Sequence, residues 1–191
     1  MREKNEVTNE HIRQYVFDDM AKKRREAGFI ESKDWNAIGF GKYAKRTVPQ
    51  ILFTDPEWAF WAYDQMRTHS TSCDRPELKL ACERAMVIRI PEKYRGDVCA
   101  EYTFNVHSGS FEHLSITQRS KVDPGDTVHV RDVIDMSMPR RFAGRSYDKR
   151  GYKVFLRDMK RIVLEWEGAR VTKQEANEFF SDPTNFVPGT K

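Results

Sequence analysis

The sequence predicts an α+β protein in which helices at both ends flank a small antiparallel sheet. Apolar residues recur at helical spacing near each end, at Ile12, Tyr15, Val16 and Met20 and again at Tyr152, Phe155, Leu156, Met159 and Val163. Strict alternation is confined to the middle, where Ala100, Tyr102, Phe104 and Val106 alternate with polar residues. Capping and turn residues punctuate the stretches between. The chain has 191 residues, 39% hydrophobic and 12% aromatic, which suits one domain or a domain with a small appended module. We divide it into an N-terminal helix at 1–30, a small module at 31–70, and an α+β region at 71–191 that ends in a basic helical segment, all packed as one unit.

In order, Thr8 is placed to cap the first helix, Lys22 to Arg25 suit the negative end of its dipole, and Gly28 stops it. Ile38-Gly39-Phe40-Gly41 reads as a short extended piece with close backbone approach at both glycines. Thr47 and Gln50 have the spacing of a capping box, with Pro49 in the first turn. Asp55-Pro56-Glu57 opens another helix, in which Trp58, Trp61, Ala62 and Met66 are expected on the core face, with Phe60 and Tyr63 pointing elsewhere. Asp74-Arg75-Pro76-Glu77 opens a third, with Leu78, Cys82 and Ala85 on one face.

Val87 to Ile90 is expected to be extended. A hairpin follows, with Ser108-Gly109-Ser110 as its turn and Phe111 to Thr117 as the return strand. Asp123-Pro124-Gly125-Asp126 is a turn, and Thr127 to Val133 a third strand. A helix is expected from Gly151, ending near Gly168, and Thr172 with Glu175 forms a second capping box before Asp182-Pro183 closes the last helix.

The net charge of +4 is mild, but it is unevenly distributed. Between Pro139 and Arg161 lie nine basic residues against two aspartates, a net +7 that leaves the rest of the chain net acidic. Those nine are Arg140, Arg141, Arg145, Lys149, Arg150, Lys153, Arg157, Lys160 and Arg161. On a helical wheel Lys153, Arg157, Lys160 and Arg161 oppose the apolar stripe, an arrangement suited to docking on phosphates. Phe142, Tyr147 and Tyr152, interleaved with these cations, are candidates for stacking on unpaired bases.

Other chemistries find little support. Cys73, Cys82 and Cys99 form no CxxC pair and no disulfide framework, as expected of a reducing compartment. No stretch is long and apolar enough to span a membrane, and the charged start lacks a secretory pattern, so a cytoplasmic location is expected. Glu101, Asp126, Asp132 and Asp135, or His107, His113 and His129, could converge on a metal only if the fold brings them together. Nucleophile, dinucleotide and P-loop signatures are absent, so no cofactor is expected.

Phe40, Gly41, Lys42, Tyr43, Thr47, Asp55, Pro56, Trp58 and Trp61 follow one another as in a known small module. Residues 38–66 resemble the C-terminal module of exodeoxyribonuclease X, which also occurs in phage and bacterial proteins. Where that family often has Lys-Gly before the threonine, this chain has Lys45-Arg46. The resemblance implies an accessory role near nucleic acid, without the nuclease chemistry, and a phage origin is among the readings it allows. It adds Lys42, Lys45 and Arg46 to the candidate contacts.

The leading expectation is therefore a non-catalytic nucleic-acid-binding protein that contacts phosphates, the type of nucleic acid being open. Two alternatives stand beside it. One is a protein-interaction module that inhibits or adapts a host nucleic-acid machine, such as a phage anti-defence protein. The other is a metal-dependent nuclease.

Overall fold

The structure, a computed structural model, describes residues 9–68, 75–104, 107, 111–122, 125, 128–138, 149–165, 168 and 170–188, with side chains omitted at 9–17, 104, 111–113 and 149–151. Its elements in chain order begin with helices α1 (Asn9–Glu26), α2 (Val48–Leu52), α3 (Pro56–Thr68) and α4 (Pro76–Ala85). The strands are β1 (Ile88–Arg89), β2 (Val98–Phe104), β3 (Phe111–Gln118), β4 (Val128–Arg131) and β5 (Val133–Ile134). Helices α5 (Lys149–Leu164) and α6 (Lys173–Ser181) complete the chain, so the fold is α+β with helices at both ends. All strand pairing is antiparallel: a three-stranded sheet in the order β3-β2-β4 and a two-stranded pair, β1-β5.

Local chemistry sets several boundaries where the sequence places them. Thr47 Oγ1 accepts from Gln50 N while Gln50 Oε1 accepts from Thr47 N, closing the capping box that starts α2. The same reciprocal pair joins Thr172 and Glu175 at the start of α6. Gly28, at φ 85°, ends α1: its N–H bonds to Arg25 O and that of Phe29 to Arg24 O, satisfying two carbonyls of the last turn. Gly41, at φ 64°, permits a close approach, since a Cβ there would lie 2.7 Å from Trp58 Cζ2.

Other boundaries differ from expectation for tertiary reasons. The strand expected over Thr127 to Val133 breaks at Asp132, giving β4, which pairs with β2, and β5, which pairs with β1. Asp132 is ion-paired to Arg119 at the break, and the Tyr102 hydroxyl accepts from Asp135 N at 2.9 Å just beyond it. The basic helix starts at Lys149 rather than Gly151 and stops at Leu164 rather than near Gly168. Glu165 takes φ 52° immediately after its last turn. Met20, expected on the buried stripe of α1, is 56% exposed. Thr8, Asp74 and the Ser108–Gly109–Ser110 and Asp123–Pro124 turn residues lie outside the described residues.

The face of α3 is turned relative to expectation. Ala59, Phe60, Ala62 and Tyr63 are buried, whereas Trp58 is half-buried and Trp61 is 41% exposed. The cause is close helix packing: α3 lies against α2 and α4, and Cys82 Sγ of α4 reaches Ala59 O at 3.8 Å. Small side chains permit that approach; an indole at the seam would hold the helices apart.

One hydrophobic cluster runs from Trp35 to Phe186 and draws on the 31–68 segment, α4, the sheet, α5 and α6. The 31–68 segment is therefore no separately packed module. Its Trp35 indole donates to Ser181 Oγ at 3.0 Å, Thr47 Oγ1 donates to Asn177 Oδ1 at 2.7 Å, and Asn177 Nδ2 donates to Ser32 O at 3.0 Å. All three tie it to α6, more than a hundred residues away. Phe53 adds edge-on contacts to Phe179 and Phe180 of α6, at 5.5 and 5.7 Å between ring centroids.

Candidate nucleic-acid interface

Helix α5 is strongly amphipathic. Phe155, Leu156 and Met159 are buried in the common core, and the helix packs along β3. That burial fixes its rotation. Lys153, Arg157 and Arg161 are consequently exposed on the far side. Their spacing of four residues sets them about 6 Å apart along the helix axis. Val154 is exposed among them. The Arg157 guanidinium donates to Asp158 Oδ1 at 3.0 Å, a contact at the protein surface that salt and a stronger anion would displace.

Lys160 departs from the expected face. It stands four residues after Leu156, at the margin of the apolar stripe, and is half-buried; burial pushes its ammonium below the usual lysine range. Its stem belongs to the packing rather than to the cationic stripe. Tyr152 is half-buried, packing against the core and stacking on Phe155 at 6.4 Å. Arg140, Arg141 and Arg145, like Phe142 and Tyr147, lie outside the described residues, and the side chains of Lys149 and Arg150 do too.

A cleft of about 860 Å³ borders α5 between Arg161, Ile162, β2 and β3. Lys93 and Glu165 pair across its rim at 2.6 Å. Asp97, Asp158 and Glu165 balance Lys93 and Arg161 within it, so the cleft does not extend the cationic surface.

The second basic segment is built differently. A 3-10 turn at Gly41–Tyr43 brings Lys42 to Asp55, whose Oδ2 accepts from Lys42 Nζ and from the Tyr43 hydroxyl, each at 2.8 Å. The other carboxylate oxygen accepts from Trp58 N at 3.2 Å and caps α3. Burial pushes the Asp55 carboxyl upward, but the bonds from Lys42, Tyr43 and Trp58 N outweigh it and hold it below the ordinary aspartate range. Lys42 is thus largely committed to structure. Arg46 lies over the Tyr43 ring at 5.4 Å, and Lys42 lies over the same ring at 5.0 Å. Lys45 is exposed, with no partner among the described residues.

The structure therefore gathers Lys42 and Arg46 on Tyr43, and separately lines up Lys153, Arg157 and Arg161. The first group packs on α3 and the second rides on a helix seated on β3.

Asp55 has a pH consequence. A carboxylate whose folded value is depressed stabilises the fold above its unfolded value and loses that contribution as pH falls through the folded one. Stability is expected to drop below about pH 4 more steeply in the natural protein than in Asp55→Asn. Urea midpoints between pH 5 and 2.5 measure this; parallel curves would show that Asp55 contributes nothing.

Among the described residues no group of three or more His, Cys, Asp or Glu side chains is placed to hold a metal ion. Glu101 accepts from Ser115 Oγ at 3.1 Å, Asp132 pairs with Arg119, and buried Asp135 accepts from Ser137 N and Oγ at 2.8 and 2.6 Å. Asp126 and the His113 side chain lie outside the described residues. Cys82 and Cys99 are buried free thiols, and Cys73 is also outside them. No helix among the described residues is long and apolar enough to cross a membrane. No protein-family model, no curated protein and no solved structure matches this chain.

Two features of the surroundings escape sequence reading. Arg84 donates to Gly28 O at 2.6 Å and to Phe180 O, joining the ends of α1 and α6 to α4. Trp61 faces outward at the end of an otherwise half-buried aromatic group. Arg84 joins partners 56 and 96 residues away, a separation that no local pattern encodes. An exposed Trp61 could have been found by noticing that Ala59 and Ala62 offer a tighter packing face.

Proposed function

We propose that this protein binds nucleic acid without acting on it, using the outer face of α5 to contact the phosphate backbone. The observation that carries this reading is the exposed series Lys153, Arg157 and Arg161, held at four-residue spacing by a buried face of Phe155, Leu156 and Met159. A cationic face whose rotation is fixed by packing presents its charges already aligned, so little ordering cost is left for binding. Asp158, beside Arg157, is the one acidic residue that the stripe carries between Lys153 and Arg161. The resemblance of residues 38–66 to the exodeoxyribonuclease X module supports the same company for the protein.

Phosphate contacts of this kind release counterions, so binding must weaken as salt rises, linearly in log–log form. Fluorescence anisotropy with labelled single-stranded and duplex DNA and RNA, from 25 to 200 mM salt as the order of range, is the test. Salt-dependent binding of at least one of these is expected. Its absence at the lowest ionic strength would remove the proposal.

A further inference from the structure

An indole on the solvent side of a helix is an unusual use of the residue, and Trp61 belongs to a larger surface. Its ring lies 6.1 Å from that of Trp58, which is 5.1 Å from Tyr43 and 5.7 Å from Phe40. Trp58, Tyr43 and Phe40 are each half-buried, so the rings form a continuous band that emerges most fully at Trp61. Cations border the band. Arg46 lies over Tyr43 at 5.4 Å, Arg75 over Phe40 at 5.1 Å, and Lys45 is exposed in the same loop.

The charge around the band is directional. Lys42 and Tyr43 already engage Asp55, and among the described residues Lys45, Arg46 and Arg75 have no carboxylate partner at the loop side. Glu57 and Asp64, four residues before and three after Trp61, are its acidic neighbours on α3. A polyanion could therefore run along the loop but not across α3. What meets the indole must be flat and uncharged while what continues toward Lys45 and Arg46 is anionic. A nucleotide has that division, base on one side and phosphate on the other.

We propose that Trp61 is a stacking site for an unpaired base of single-stranded nucleic acid, with Lys45 and Arg46 receiving the adjoining phosphate. This rests on the nucleic-acid reading of α5 and deepens it by assigning a strand preference. Bases paired within a duplex have no free face to offer, whereas a single strand does, and any base will serve. The platform is rigid: Gly41 lets Trp58 pack on the backbone, and the Asp55 cap holds the start of α3.

The test measures binding of a labelled oligothymidylate and of a duplex of equal length, with wild type, Trp61→Ala, Trp61→Phe and Arg157→Ala. Trp61→Ala is expected to bind the single strand about tenfold more weakly and the duplex equally well, with Trp61→Phe partly restored. Titrating wild type with the oligothymidylate should quench tryptophan fluorescence by more than it does in Trp61→Ala. Unchanged single-strand affinity in Trp61→Ala, alongside weakened binding by Arg157→Ala, overturns the stacking site and leaves the α5 reading standing. Concentration-dependent self-association that Trp61→Ala abolishes, without any strand preference, overturns it in favour of a protein contact. Failure of wild type to bind the oligothymidylate removes the stacking site, and the α5 reading falls with it when duplex DNA and single-stranded and duplex RNA fail as well.

Discussion

Replacing Arg84 by methionine is expected to lower the unfolding free energy by about 2–4 kcal/mol. Arg84 is buried, and burial holds its guanidinium below the usual arginine range, with only Asp182 acting in the other direction. Among the described residues no carboxylate bonds to it. Instead it donates to Phe180 O near the end of α6 and to Gly28 O just past α1, with its Cζ 5.3 Å from the centroid of the Phe186 ring. Carbonyls at helix ends lack partners within their own helix, and these two look to Arg84. Methionine fills much of the volume and removes the buried charge, which offsets part of the loss. It leaves both acceptors without a donor, at about 1–3 kcal/mol for a carbonyl that stays buried.

Gly28 is exposed, so its carbonyl can turn to water; that of Phe180 adjoins the core. For this reason the cost should be well above that of a surface change. Arg84→Lys retains a charge but reaches fewer acceptors and should fall between. Urea unfolding measures both, and amide exchange should report faster opening at the end of α6. A loss below about 0.5 kcal/mol for methionine would show that the clamp is dispensable.

The second large effect concerns binding. Neutralising Lys153, Arg157 and Arg161 together to alanine is expected to leave folding intact, because all three are exposed and alanine favours helix. Each phosphate contact on duplex DNA adds about 0.9 to the log–log salt slope, so three lost contacts remove about 2.7. At 0.1 M salt that amounts to an affinity loss on the order of 10²–10³-fold if the salt-independent part is unchanged. Lys160→Ala is the informative contrast. It should disturb stability through its half-buried stem and leave the slope nearly as it was.

What the sequence made legible was mostly local. The Thr47–Gln50 and Thr172–Glu175 boxes, the Gly28 stop and the Asp55 cap each depend on residues within five positions of one another, and each forms as read. The amphipathic α5 was equally plain, because a long helix repeats its pattern often enough to define a face. On α3 the sequence offers two apolar faces, and hydrophobicity favours the one with more tryptophan. Packing selects Ala59 and Ala62, since the closeness of α2 and α4 rewards small side chains. The break at Asp132 depends on Arg119 and Tyr102, remote partners that no strand pattern contains. Similarly, the ties from Trp35 and Thr47 to α6 cross more than 100 residues, so no local pattern shows which surfaces join residues 31–70 to the rest. In the basic segment, apolar spacing located the helix α5, but only the depth of packing separates Lys160 from its neighbours.

The most direct measurement of the central claim is the salt slope of duplex binding for wild type beside the Lys153→Ala, Arg157→Ala, Arg161→Ala triple variant. The α5 account predicts a slope shallower by about 2.7 in the variant, with unfolding curves that superimpose. Equal slopes for two equally folded proteins would contradict it and move the contact surface elsewhere.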